Sequence, residues 1–127
     1  MHITEKLSLK MKRPFISTKC IYIQSIDISI DNDCNSPNIT VSFIYDYDKY
    51  DMFLLTLLFT NVSSFFWERD SPSFNLGELL FYDEEDGSPL VIADELGGFK
   101  LVCQDVELIS LKETSQDWVY LMDAMRL

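Results

Sequence analysis

Glycine and histidine are scarce in this chain: 127 residues hold four glycines and a single histidine, His2. With so few glycines there is no glycine-rich loop to cradle a phosphate. One terminal histidine leaves general acid–base chemistry to carboxylates alone. Those carboxylates fall mostly in segments that read as loops, and no pair is set apart from the rest. The three cysteines, Cys20, Cys34 and Cys103, are odd in number and widely spaced, which suits neither a disulfide framework nor a zinc site. Cys20 and Cys103 lie in apolar runs as small core residues, whereas Cys34 lies in a polar stretch. The longest apolar run is well short of the roughly 20 residues that span a bilayer. Lys6, Lys10, Lys12, Arg13 and Lys19 are followed by no apolar signal segment. The expectation is a cytoplasmic protein that is not an enzyme and takes no cofactor and no metal.

Basic residues are the minority charge, ten against twenty-one acids, for a net charge of −11. The imbalance is uneven. Residues 1–19 carry five basic side chains and one acid, Glu5, for +4; the remainder carries five basic and twenty acidic, for −15. A field of that sign repels nucleic acid and anionic membranes and attracts cationic partners, although acidity also serves plain solubility. Basic residues interleaved with aromatics, the pattern of a nucleic-acid platform, are missing. Neither nucleic acid nor membrane is therefore expected as a partner.

Hydrophobic residues make up 47% of the chain, enough to exclude disorder and to build one domain over 1–127. The run Met52 to Trp67 organises it. Phe53, Leu55, Leu57 and Phe59 make one alternating face, and Leu54, Thr56, Leu58 and Thr60 the other, which predicts a central strand buried on both faces. Lys19 to Ile30 predicts a strand whose apolar phase slips, Ile21 and Ile23 against Ile26, Ile28 and Ile30, so a bulge is expected near Gln24-Ser25. It should pair with Asn38 to Tyr47 across the polar loop 31–38. That loop opens with the spacing of a calcium-binding loop. It then has Ser36 in the glycine position and Ser42 where a bidentate Glu belongs, so it reads as a turn.

Asp86-Gly87 predicts a tight hairpin tip between Glu78–Asp83 and Pro89–Ala93, and Gly97-Gly98 predicts another turn. Phe99 to Leu111 predicts a strand region that bends near Gln104-Asp105. Residues 1–19 read as a basic arm, with Ile3, Leu7, Leu9 and Met11 on one alternating face. Thr114 to Arg126 reads as a short capped helix with Trp118, Leu121, Met122 and Met125 at helical spacing. Together these give a mainly β chain, α+β at the margin: an antiparallel sandwich or open barrel of roughly seven or eight strands with one C-terminal helix.

The candidate binding residues are two acidic loops. Asp83, Glu84, Glu85 and Asp86 form one; Asp46, Asp48 and Asp51, with Tyr47 and Tyr50 among them, form the other. Carboxylates beside tyrosine suit the gripping of Lys and Arg side chains, and equally a solvated turn whose tyrosines cap the core.

Phe59-Thr60-Asn61-Val62, Asp94-Glu95 and the run Phe99 to Glu107 resemble a group of small bacterial proteins encoded beside polymorphic or contact-dependent toxins. Residues 1–50 do not share the resemblance. It implies an immunity protein whose partner is a cognate, cationic toxin domain, a nuclease being one such class. It brings no catalytic residues with it. A structural or assembly subunit, including a homodimer built on a sheet edge or an oily patch, and a small-molecule-binding β-domain are the other readings the residues allow.

Overall fold

A computed structural model describes residues 2–30, 36–48, 51–67, 76–83, 88–95 and 98–114. After helix α1 (Ile3–Met11) and a 3-10 turn (Ser17–Lys19) come eight strands: β1 (Cys20–Ile30), β2 (Pro37–Asp48), β3 (Asp51–Thr60), β4 (Ser64–Trp67), β5 (Leu79–Tyr82), β6 (Leu90–Asp94), β7 (Phe99–Cys103) and β8 (Asp105–Glu113). They form two four-stranded antiparallel sheets, ordered β1-β2-β3-β8 and β4-β7-β6-β5. The first sheet is thus the meander β1-β2-β3 with β8 added beside β3, and the second is the meander β5-β6-β7 with β4 added beside β7. The chain is mainly β, as its alternating patterns require.

β3 is an interior strand, between β2 and β8. Phe53, Leu55, Leu57 and Phe59 are buried in the common core with Val41, Phe43 and Tyr45 of β2 and Ile92, Leu101 and Cys103 of the second sheet. The opposite face is only half-buried, which corrects the expectation of full cover on both sides. There Leu54 packs on a small separate cluster of Tyr22, Ile44 and Met52, and Thr56 and Ser42 share a 3.0 Å hydroxyl contact. Threonines and a serine on that face explain why it tolerates water.

The slip in β1 is present between Ile23 and Ser25, where the register against β2 shifts. A second irregularity lies between Cys20 and Tyr22. It turns Ile21 to the outer cluster and leaves Ile23 in the core, so these two residues do not share a face.

The bend expected near Gln104-Asp105 is where the chain changes sheets. β7 ends at Cys103, β8 begins at Asp105, and the Gln104 N–H donates to the Thr60 carbonyl at 3.0 Å. On the neighbouring chain, β3 passes into β4 through Asn61, which adopts φ 51°. The Asn61 N–H donates to Asn38 Oδ1, that of Val62 to the Pro37 carbonyl, and that of Ser63 to the Val102 carbonyl. One long ribbon, β3-β4 against β7-β8, is therefore folded over a corner to form part of both sheets. A strand that switches sheets needs such a bend, and Asn is among the few non-glycine residues that enter the left-handed region at small cost.

Residues 3–11 form a helix and not an extended arm. Ile3, Leu7 and Met11 are buried, a spacing of four that suits a helix as well as an alternating strand. Leu9 separates the two: it shares their strand parity but is 67% exposed. Lys12, at φ 60°, ends the helix, with the Arg13 N–H on the Ser8 carbonyl and Pro14 beyond. Phe15 then inserts between the sheets, 6.1 Å from the Tyr45 ring and 5.3 Å from that of Phe81. The C-terminal helix expected over 114–126 lies, beyond Thr114, outside the described residues.

Candidate functional site

Of the two acidic loops, the β2–β3 connection is the better described. β2 and β3 are paired to their ends, Asp46 opposite Met52 and Asp48 opposite Asp51, with a register shift between Asp46 and Asp48. The sequence therefore places an aspartate at each of the two paired positions that end the hairpin. Asp46 is half-buried, and among the described residues its shielded Oδ1 has no hydrogen-bond partner. Asp51 is half-buried at the start of β3. The Asp48 side chain and all of Tyr50 lie outside the described residues.

Tyr47 is half-buried and meets Phe53 edge-on at 6.4 Å. The Arg13 guanidinium stands 4.8 Å from the Tyr47 ring centre and 4.7 Å from that of Phe53. Lys19 Nζ lies 5.6 Å from the Tyr47 ring and donates to the Tyr47 carbonyl at 2.7 Å. The rings thus take the positive charge of the chain's own N-terminal segment, by the attraction of a cation to an aromatic face. Sequence reasoning separated the basic segment 1–19 from the acidic loops. Their meeting depends on a contact across the fold that no local pattern reports.

Asp83 has a structural task. Its Oδ2 accepts the Ile3 N–H at 2.5 Å and stands 3.9 Å from His2 Nδ1, so it caps the N-terminus of α1 from the far end of β5. Glu84, Glu85 and Asp86 lie outside the described residues. The flanking strands do pair, Tyr82 opposite Val91, so the hairpin is present, with 83–90 beyond its last pair.

A carboxylate that the candidate loops omit is the most buried one described. Asp94 is 7% exposed and accepts the backbone N–H groups of Gly77 at 3.1 Å and Glu78 at 2.9 Å, which holds the approach to β5 in place. Beside it the Tyr82 hydroxyl donates to the Glu95 carboxylate, and that hydrogen bond, before the carboxylate's charge, holds the tyrosine pKa above its ordinary value. The two described thiols, Cys20 and Cys103, are buried and free. Burial raises both; the charge of Asp105 adds to the effect on Cys103, which is pushed up to about 12. Such thiols are poor nucleophiles at neutral pH.

Among the described residues no group of three His, Cys, Asp or Glu side chains is placed to hold a metal ion, and no helix is long and apolar enough to cross a membrane. No family model, no curated protein and no solved structure matches this chain.

Proposed function

We propose that this chain is a non-enzymatic binding module that engages a basic protein domain, and that it acts as an immunity protein neutralising a cognate cationic toxin domain in the cytoplasm. The observation that carries the reading is the aromatic and acidic end of the β2–β3 hairpin, where Tyr47 and Phe53 already hold Arg13 and Lys19. An arginine or lysine of a partner finds the same chemistry there: ring faces, backbone carbonyls and the carboxylates of Asp46, Asp48 and Asp51. Residues 20–127 carry a net charge of −15, which steers a cationic partner toward the chain at long range. Asp83, Glu84, Glu85 and Asp86 add to that field, with Asp83 tied at the same time to the helix.

The resemblance to toxin-linked immunity proteins supplies the class of partner. A nuclease domain suits it, because a surface that binds phosphates is basic and carboxylates compete for it.

The test is co-expression with the product of the adjacent upstream gene, read by pull-down and by rescue of growth. A complex with rescue is expected. Replacing Asp46, Asp48 and Asp51 by serine should slow association and flatten its salt dependence more than it changes the dissociation rate. Absence of both complex and rescue with any neighbouring toxin would sink the proposal.

A further inference from the structure

The two sheets have four edges, and they are not equally protected. β4 and β5 are edges of four residues each, and β8 has α1 alongside it, with Lys6, Leu7 and Lys10 facing Val106, Glu107 and Leu108 across a small cavity. β1 is the exception: an edge strand of eleven residues. Its first part is engaged, since the Leu76 N–H donates to the Ile21 carbonyl at 2.9 Å. From Gln24 to Ile30 no described strand pairs with its outer side, and every residue there except Ile26 is exposed. Ile28 and Ile30 are 55% and 74% exposed. Edge strands are usually blunted by lysine, proline or a covering loop. This stretch has one charge, Asp27, and neither lysine nor proline.

We propose that the outer edge of β1, residues 24–30, pairs antiparallel with the same edge of a second copy, joining two four-stranded sheets into one of eight. The occupant follows from the sequence of the edge itself. Ile26-Asp27-Ile28-Ser29-Ile30 is nearly palindromic in polarity. With Ile28 opposite its own counterpart on the two-fold axis, Ile26 faces Ile30 and Asp27 faces Ser29, in both directions. All apolar residues then share one face, continuous with the face of Ile26 that already touches the core. No aspartate faces another. Moving the axis to Asp27 sets the two aspartates opposite each other, and moving it between residues opposes isoleucine to aspartate or serine. The two-fold arrangement is self-complementary, as an isologous dimer requires. It stands independently of the toxin-binding proposal and leaves the β2–β3 hairpin end uncommitted.

Each copy carries −11, so long-range repulsion opposes the pairing and salt should strengthen it by screening. The test is sedimentation velocity of the full chain across a wide concentration range, at low and at moderate salt. A monomer–dimer equilibrium that tightens with salt is expected. Ile28→Lys lowers the net negative charge, yet it sets two like charges on the axis and should weaken the dimer at least about ten-fold. Ser29→Lys sets a lysine opposite Asp27 in both directions and should tighten it about two- to five-fold. Both sites are exposed, so circular dichroism and melting should match the parent chain. A monomer under all conditions would overturn the proposal. A dimer indifferent to both substitutions would also overturn it, by showing that another surface, or another kind of partner for this edge, is in play.

Discussion

Two of the joins between the sheets differ in kind, and the contrast between them explains much about this chain. At the corner the join is covalent: β3 runs into β4 and β7 into β8, and the two bent strands lie side by side. The N-terminal segment joins the sheets without sharing a strand with either. Its helix receives Asp83 from the end of β5 in one sheet and sends Lys6 to Asp105 at the start of β8 in the other. Phe15 and the Tyr45 hydroxyl complete the bolt: that hydroxyl accepts the Ile16 N–H at 3.1 Å and donates to the Pro14 carbonyl at 3.4 Å. A corner formed by strands persists as long as the strands do. A bolt of side chains depends on a few contacts and should loosen first.

The largest effect is expected at the centre of the bolt. Phe15 is buried between Tyr45 and Phe81, and Phe15→Ala leaves a cavity between the sheets that neither backbone can close. The expected cost is about 3–5 kcal/mol, a large share of the stability of a domain this size. Urea denaturation measures it. Hydrogen exchange sharpens the comparison, since amides of α1 should lose protection well before those of β3 and β8. Equal loss at both places would show that the bolt and the corner unfold as one.

The same contrast shows how much could be read from residues alone. Corner and strands were legible, because an apolar run that changes phase must bend or bulge wherever one face is buried; β1 and the Cys103–Asp105 step both did so. The bolt was not. Ile3, Leu7 and Met11 fit a period of two as well as one of four, and Leu9, which fits only the period of two, favours the strand reading. A nine-residue helix is marginal by itself, and its cap, Asp83, lies eighty residues away in sequence. The candidate loops followed the same rule: their acidity was visible, but not that Arg13 and Lys19 stand over Tyr47 or that Asp83 is tied to Ile3. The residues on which the expected likeness to toxin-linked proteins rested are also largely structural. Asn61 and Val62 turn the corner, Asp94 fastens β5, and Phe99, Leu101, Cys103 and Val106 fill the core. They therefore serve construction more than a binding surface.

The thiols provide one probe near each join, with Cys20 directly after the bolt and Cys103 at the corner. Burial raises the folded pKa of both, that of Cys103 from an ordinary 9.0 to about 12. The folded chain then keeps protons that the unfolded chain releases. Their contribution is complete below about pH 9 and declines as pH rises toward the folded values, by up to about 1.4 kcal/mol per pH unit for each thiol. Denaturation between pH 8 and 9.5, below the ordinary tyrosine value of 10.0, should show the start of the decline, and Cys103→Ala should remove one thiol's share of it. A flat profile would mean that water reaches the thiols.

The corner's own weak point should cost less. Asn61 holds φ 51° with its side chain exposed, so Asn61→Val should cost about 1–2 kcal/mol through backbone strain, with no cavity involved. Asn61→Gly should be close to neutral, since glycine enters that region freely. If both cost the same, the Asn61 side chain contributes something other than conformational tolerance.

The smallest effect is expected at Lys6 and Asp105, where the bolt reaches the corner. Their atoms meet at 3.0 Å, but the two side chains are 36% and 44% exposed, so water and salt screen the pair. Such pairs contribute about 0.2–1 kcal/mol. Asp105 Oδ1 also accepts the Val106 N–H at 2.9 Å, so Asp105→Ala removes a backbone partner together with the ion pair and should cost more than Lys6→Ala. A double-mutant cycle separates the two contributions, and its coupling energy should shrink as salt is added. Coupling well above 1 kcal/mol that ignores salt would mean that bolt and corner reinforce each other there as one cooperative joint, and the distinction between them would have to be abandoned at that point.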